Sequence, residues 1–589
     1  MADVLFINTT DKLEIKNEVN GTLILATKLL EAGIDVEVLR FCEIESYNGN
    51  DNYLGFIRDI TERIIKIGPK CISFYTLWPY YHIMLRIARE IKAVAPQIIT
   101  VMGGPQSSAT ASQTLSTQNY VDYICTGEGE NTVVPFFGAL LNGDYEKLAE
   151  IPSLYYRKDG KVVYNDLYAP LCDLNTLPYW DDRLYLKNHA EKESDISSYN
   201  YFMPIDAGRG CPYSCTFCCS SNFWRRTYRL KSPERIIQDI EYYNKKFGIR
   251  SFWFTHDAFT VNKKLVENVC EEILQRGLDI RWKCTTRINC ISEDLVLKMK
   301  ESGCTNIELG IETGSERMQK IIDKRLDLKK AHETIKFLLK NNIAVHTFFM
   351  HGFPEETESD INDTLELLFS FLDLGVQYAS MNYCRFNPNT TMTMQYMDQL
   401  VLDPSIAILS RRIFGYEEEL DVIKNNREIF PFFYHLNTPE RNEYQYLRYF
   451  VRMYQQFPIS MRYLRALYKG DNLKFYHDFI KNNDHIISKG ADDLIEAVHT
   501  KTLEVAVNTM KDFDMPYVQQ LKELMRYDLD RKQISDLENG TVVCKTYGFS
   551  IMDYTSKKPI DKYCSAESKL LMQKSGDKIK VKIMDIKEV

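Results

Sequence analysis

Short β-like runs alternate with helical patterns twice along this chain, and that alternation limits its fold more than any other feature. In residues 1 to about 165 the runs are Val4–Asn8, Asp35–Phe41, Cys71–Leu77, Gln97–Gly103 and Tyr123–Thr126. Helical patterns lie between them, at Gly21–Glu31, Leu54–Ile67, Tyr81–Val94 and Asn131–Leu141. From about 201 to 395 six further runs follow: Met203–Ala207, Ser251–His256, Arg281–Ile288, Asn306–Glu312, Ala344–Gly352 and Gln377–Arg385. Strand–helix repetition predicts parallel pairing with helices on the sheet faces. The expected class is α/β: an N-terminal open Rossmann-like parallel sheet (1–165), a linker (166–200), a central partial (β/α)6 TIM-like barrel (201–395) and a C-terminal mainly helical region with some strands (396–589). Both sheet types bind ligands at the carboxyl ends of their strands.

The turn after the first barrel strand reads Gly208-Arg209-Gly210-Cys211-Pro212-Tyr213-Ser214-Cys215-Thr216-Phe217-Cys218. Three thiolates can ligate three irons of a cubane and leave the fourth open to a non-protein ligand. A zinc site would pair C-x2-C with a second such pair or with histidines, and no second pair at that spacing is present. The loop resembles that of the radical S-adenosylmethionine (SAM) superfamily, with Phe217 as the aromatic before the third cysteine. The resemblance implies that Cys211, Cys215 and Cys218 hold a [4Fe-4S] cluster whose open iron takes the amino and carboxylate groups of SAM. It further implies SAM contacts from Phe217, Asp257, Arg287, Glu312 and Ser315. Asp257 would meet the amino group, and Arg287 the carboxylate or the pocket wall. Glu312 ends the fourth strand in a run like the family's E-x-G-S-E step, and Ser315 is also a helix cap candidate. The Gly352-Phe353-Pro354-Glu355-Glu356-Thr357 run resembles the segment near the adenine and ribose. Glu316 and Glu355 read as helix-start charge. Cys219, one residue out of step, is expected to point away from the cluster. Cys284, Cys290 and Cys304 read as buried thiols.

The N-terminal segment lacks G-x-G-x-x-G after its first strand, where Thr9 to Glu14 stand instead, so a nicotinamide or flavin domain is disfavoured. Its glycines come later, in Gly103-Gly104-Pro105-Gln106 and Gly127-Glu128-Gly129-Glu130, where they let backbone approach a large flat ligand. The segment resembles the cobalamin-binding domain that precedes many radical SAM domains. That implies cobalamin contacts from Leu77, Trp78, Gly103, Gly104, Pro105, Gln106, Gly127, Glu128 and Gly129. The D-x-H-x-x-G motif of other cobalamin proteins is absent, and the first histidine is His82. Trp78 or Leu77 is therefore the expected shield of the lower cobalt face, with plain strand-end core as the open alternative.

A net charge of −8 argues against a nucleic-acid partner. No basic n-region opens the chain and no apolar run reaches membrane-spanning length, so a reducing cytoplasm is expected for the fifteen cysteines. Beyond residue 396, dense aromatics from Phe430 to Phe457 read as helical core. Arg441, Arg448, Arg452 and Arg462 interleave with them as a solvated face or as the lining of a groove for an anionic or peptide substrate. Cys544 and Cys564 are too few for a second cluster. No Walker loop or nucleophile elbow appears.

The resemblance implies a cobalamin-dependent radical SAM methyltransferase acting on an unactivated carbon of a peptide or natural-product intermediate. Its cofactors would be a [4Fe-4S] cluster, SAM and cobalamin, with an external electron donor such as flavodoxin or ferredoxin. Two alternatives stay open: a cyclase or ring-rearranging enzyme with the same cofactors, and a cobalamin-binding regulatory or carrier protein.

Overall fold

A computed structural model describes residues 2–8, 20–40, 52–167, 171–181, 183–184, 202–402, 415–439, 443–483, 523–528, 530–531, 542–547, 568–575 and 578–584. The N-terminal sheet holds β1 (Val4–Asn8), β2 (Val36–Arg40), β3 (Cys71–Tyr75), β4 (Ile99–Gly103), β5 (Tyr123–Cys125), β6 (Leu154–Lys158) and β7 (Lys161–Tyr164). Their order is β2-β1-β3-β4-β5-β6-β7. The first five pair in parallel, as the alternation predicts. The expectation of a purely parallel sheet is corrected at one edge, where β6 and β7 form an antiparallel hairpin joined to β5. Asp159 and Gly160 make that tight turn at φ 51° and 73°. The order reverses at β1/β3, the kind of switch point where doubly wound sheets bind ligands. The loop Thr9–Glu14 and the linker run Glu191–Asp195 lie outside the described residues.

The helices follow from amphipathic patterning and clear end signals. Tyr53–Ile67 is capped by Asn52, whose side chain accepts from the Gly55 amide, and stops at Gly68 in the left-handed region. Tyr81–Val94 buries Ile83, Met84, Ile87 and Ile91 on one face. Two short helices follow β4, Pro105–Ala109 and Ala111–Thr117.

The central sheet comprises β8 (Met203–Asp206), β11 (Ser251–Thr255), β12 (Arg281–Thr286), β13 (Cys304–Glu312), β14 (Ala344–His351) and β15 (Tyr378–Tyr383), in that spatial order and all parallel. Six consecutive strands curl into an open barrel. A ribbon of β9 (Gly208–Gly210) and β10 (Tyr228–Leu230) crosses its mouth. Burial alternates strictly along β12 and β14; in β14 Val345, Thr347, Phe349 and His351 are the buried set. The partly exposed His346, Phe348 and Met350 therefore face the other side of the sheet. The helix Glu358–Leu374 opens with a capping box of Thr357 and Asp360 and closes at Gly375 in the left-handed region.

Beyond the barrel, Leu447–Gln456, Pro458–Leu467 and Asn472–Asn482 are helical. Tyr444, Tyr449, Phe450, Tyr454 and Phe457 are buried core, as their spacing predicts. Residues 415–436 pack their aromatics against the helix Tyr81–Val94 of the N-terminal domain, and Tyr81 meets Phe430 at 6.0 Å between ring centres. The short strands β16 (Leu400–Val401) and β17 (His435–Leu436) pair antiparallel. At the end, β18 (Val542–Tyr547), β19 (Ser568–Ser575) and β20 (Lys578–Met584) form an antiparallel sheet. Its middle strand is missing from the sequence reading. The run Ile406–Phe414 and Arg441 lie outside the described residues. Among those described, no helix is long and apolar enough to cross a membrane.

Candidate active site at two facing strand edges

The cysteine loop leaves β9 at Gly210, which sits at φ 85°. A side chain there would meet the Thr227 carbonyl at 2.2 Å, so the ribbon fixes the loop's entry through a position only glycine fills. Cys211, Cys215 and Cys218 are all free thiols, Cys215 buried and the other two half-buried. The Cys218 amide donates to the Cys215 carbonyl at 3.1 Å, and Thr216 donates to the Ile322 carbonyl at 3.0 Å. The loop is thereby tied to the segment after β13. Burial raises the Cys211 thiol and pushes Cys218 up to about 11, with Asp257 and Cys215 adding to both. Three soft donors on one loop with no disulfide between them suit an iron–sulfur group, whose positive charge offsets the burial penalty on Cys211 and Cys218.

The other barrel residues divide into two groups. Asp257 is exposed beyond β11, and its carboxylate accepts from the Ser220 hydroxyl just after the cysteine loop. Glu312 is buried at the end of β13, at φ 71°. The ladder shifts register between Gly310 and Glu312, so a bulge holds this carboxylate in a strained backbone. Lys324 donates to it at 3.1 Å. Phe217 is half-buried and meets Phe353 edge-on at 5.8 Å.

Arg287 and Ser315 are committed within the protein. Arg287 donates to the Cys215 sulfur at 3.3 Å, to the Asn289 side chain at 3.2 Å and to the Lys324 carbonyl. It also stacks over Tyr213 at 3.8 Å. Of its two expected roles, this geometry supplies the wall: it braces the cysteine loop. Ser315 caps the next helix by accepting from the Met318 amide at 3.2 Å, and its hydroxyl donates to Asp360. Glu316 stands in the first helical turn as expected, but Glu355 does not. The helix begins after Thr357, and Glu355 lies before it at φ 64°, accepting from Tyr396 at 2.7 Å. Cys284 and Cys304 are buried, whereas Cys290 is half-buried with its sulfur 3.1 Å from the Tyr213 hydroxyl.

On the N-terminal sheet the loops after β3, β4 and β5 come together. Gly104 lies at φ 100°, and a side chain there would sit 2.9 Å from the Thr76 carbonyl. Gly127 lies at φ 74° with open space where a side chain would go. Gly129 abuts Leu25. Gly103 pairs in β4, and its carbonyl accepts from the Thr76 amide at 2.9 Å. Trp78, Pro105, Gly127 and Glu128 line a half-open cavity of about 330 Å³. Leu77 only precedes the 3-10 turn Trp78–Tyr80 and is not among the lining residues. Gln106 is turned away and corrected as a ligand contact: it is buried, and its amide donates to the Ile429 carbonyl at 2.7 Å. No histidine lines the cavity. His82 is buried in its helix against Phe433, and of the two residues expected at the lower face Trp78 is the one that lines the cavity.

The opposite wall of that cavity is the barrel's cysteine segment. Cys219, Asn222, Phe223 and Trp224 line it directly after the last cluster cysteine. Cys219 thus faces the cavity, and burial pushes its thiol up to about 12. The bare backbone of Gly127 and the Trp78 indole on one side suit a flat macrocycle, and Cys219, next in sequence to Cys218, stands on the other.

A buried ionic junction locks the two walls. Arg209 donates to Glu128 at 3.0 Å, to Glu130 at 2.7 Å and to Asp206 at 3.1 Å. Arg229 also pairs with Glu128. Burial opposes the Arg209 charge, yet the three carboxylates outweigh it and hold its pKa well above the usual arginine range. Sequence reading treated Glu128 as a ligand contact; the structure adds a partner two residues before Cys211. The only sequence signal was the coincidence of an acidic turn and an arginine flanking the cysteines.

Residues 205–368 match the family model described as the radical SAM superfamily, and residues 11–136 match the B12 binding domain. An uncharacterised methyltransferase of Pyrococcus horikoshii is 28% identical over 360 residues, 59% of this chain and 76% of the relative. The anaerobic magnesium-protoporphyrin IX monomethyl ester cyclase of Rubrivivax gelatinosus is 25% identical over 52% of this chain, which spans about half (55%) of that relative. Among solved structures, the radical SAM methyltransferase TsrM of Kitasatospora setae superposes with a TM-score of 0.56 at 15% identity, over 68% of this chain and 76% of TsrM. The cobalamin-dependent SAM radical enzyme OxsB superposes at 0.57 and 14%, over 91% of this chain and 82% of OxsB.

Proposed function

We propose that this cobalamin-dependent radical SAM enzyme transfers a methyl group to an unactivated carbon of a peptide or natural-product intermediate. The observation that carries the reading is the shared cavity: Trp78, Pro105, Gly127 and Glu128 of the N-terminal sheet form one wall, and the other wall begins at the residue after Cys218. When bound, the cofactors would supply a hydrogen-abstracting 5′-deoxyadenosyl radical and a cobalt-borne methyl group, chemistry beyond any side chain.

The chain's own residues then have separable tasks. Cys211, Cys215 and Cys218 would hold the cluster, and Arg287 keeps the loop in place through the Cys215 sulfur. Asp257, exposed beside the loop, would accept hydrogen bonds from the SAM ammonium. Glu312, held in its bulge by Lys324, would present a second carboxylate to the same ligand. Phe217 would pack against SAM, and Ser315 would act through its helix cap. Gly103, Gly104, Gly127 and Gly129 would let backbone approach the corrin, and Trp78 would cover its lower face. Leu77 and Pro105 would shape that rim. Arg209 fixes the corrin turn to the cysteine loop, so both cofactors address one substrate position.

The test uses reconstituted enzyme, hydroxocobalamin, a low-potential reductant and methyl-deuterated SAM, with peptide and small-molecule fractions. A product carrying the intact deuterated methyl group, formed with 5′-deoxyadenosine, is expected. Cyclisation is the second reading, supported by the cyclase relatives. 5′-Deoxyadenosine with a product that gains no carbon would favour it and sink methyl transfer.

A further inference from the structure

Arg385 follows β15 by two residues, at the carboxyl edge of the last barrel strand. It is half-buried, and its guanidinium lies 5.1 Å from the ring centre of Phe432 and 5.9 Å from that of Tyr383. Among the described residues no carboxylate pairs with it. Its charged and titratable neighbours are Tyr383, Cys384, Tyr416 and a second cation, Arg448. The neighbouring arginines differ. Arg209 has three carboxylates, Arg317 pairs with Asp360, and Arg462 and Arg465 share Asp373. Arg287 is filled with acceptors.

A cation set among aromatic rings loses hydration that the rings only partly replace, and a second cation beside it adds repulsion. Burial and Arg448 both hold Arg385 below the ordinary arginine value. An incoming anion removes both penalties at once. We propose that Arg385, assisted by Arg448, is an anion subsite at the barrel mouth that takes a carboxylate or phosphate group of the substrate. The guanidinium fork pairs with either group through two parallel hydrogen bonds. Phe432 and Tyr383 screen that pair from water, which strengthens it. Pro388 and Asn389, three and four residues further on, line the cavity between the two sheets. Arg385 itself is not among the lining residues, and the assignment of the anion to substrate rests on the function proposed above. Arg448 projects from the exposed face of the helix Leu447–Gln456, from the region where the sequence already showed interleaved arginines.

Equilibrium binding of inorganic phosphate and of benzoate to the full-length reconstituted protein tests the subsite without turnover. Wild type should bind at least one of them saturably. Arg385→Gln should weaken it about tenfold, Arg448→Gln about threefold, and Arg385→Lys should fall between wild type and Arg385→Gln. Equal affinity in wild type and Arg385→Gln would overturn the subsite. Should Arg385→Gln not accumulate, equal affinity in wild type, Arg385→Lys and Arg448→Gln overturns it in the same way. SAM and hydroxocobalamin affinities distinguish the source of the anion. Both unchanged in the variants supports the substrate, and a tenfold loss of either overturns that assignment. Failure to find a methylated product would leave these results standing and count against the function alone.

Discussion

The two parallel sheets are built alike and finish differently. The carboxyl edge of the N-terminal sheet ends in glycines: Gly104 and Gly127 take positive φ, Gly104 packed closely on the Thr76 backbone and Gly127 bare at the cavity. The carboxyl edge of the barrel ends in side chains: three thiols, Asp257, Glu312 and Arg385. One edge is shaped to let a large rigid group lie flat, the other to hold ions and small charged groups. The same strand–helix construction thus serves two ligand chemistries. The difference lies in whether the turn needs left-handed backbone or a polar side chain.

The sharpest break in that comparison is Cys215→Ala. It should abolish the cluster's visible absorption and 5′-deoxyadenosine formation while leaving hydroxocobalamin affinity within about twofold, because the corrin edge owes nothing to the thiol. An equal loss of corrin binding would mean the two edges are one site.

Arg209→Ala attacks the junction instead. It strands Glu128, Glu130 and Asp206 in a buried setting, and removal of one partner from such a group costs about 3–5 kcal/mol. Denaturant titration should show that loss, and Arg209→Lys should recover part of it. A loss below about 1 kcal/mol would mean the carboxylates are solvated and the junction is weak.

Gly127→Val tests the corrin edge alone. The added side chain enters open space, so the stability cost is confined to the left-handed backbone, about 1–2 kcal/mol. Cobalamin affinity should fall about tenfold with full cluster content. Unchanged affinity would remove Gly127 from the binding surface.

The smallest effect is electrostatic. Burial pushes Glu356 up to about 8, above its ordinary 4.5. Its folded pKa is raised, so the folded state binds more protons and stability falls as pH rises from about 4.5 to about 8. Glu356→Gln should flatten that slope and raise the melting temperature at pH 8 by about 2–4 °C. An unchanged slope in a pH series of thermal melts would show that other groups carry it.

Much of this was legible before any coordinates. Short β-like runs between helical patterns marked all five parallel strands of the first sheet and all six of the second, because buried parallel strands leave a strong apolar signal. The hairpin β6–β7 was missed: Leu154–Lys158 and Lys161–Tyr164 are short and only partly buried, and they join the sheet antiparallel through β5, outside the strand–helix alternation. Strand β19 was missed too, since Ser568–Ser575 reads as polar and only its two neighbours make it a strand. At the site, the spacing of Cys211, Cys215 and Cys218 was visible because a cluster ligand set is local. Gln106, Ser315 and Arg287 sat in the right runs but spend their side chains on Ile429, Asp360 and the cysteine loop, partners distant in sequence.

By itself the sequence determined the strand–helix order, the three-thiol loop and the glycines after β4 and β5, because each depends on residues within a few positions of one another. Only the tertiary structure decided that Arg209 bridges to Glu128 and Glu130, that Cys219 shares a cavity with Trp78, and that Arg385 stands beside Phe432 with no acid paired to it among the described residues. Those pairings span tens to hundreds of residues. Their energies arise from burial and charge, which exist only once the two sheets close on each other.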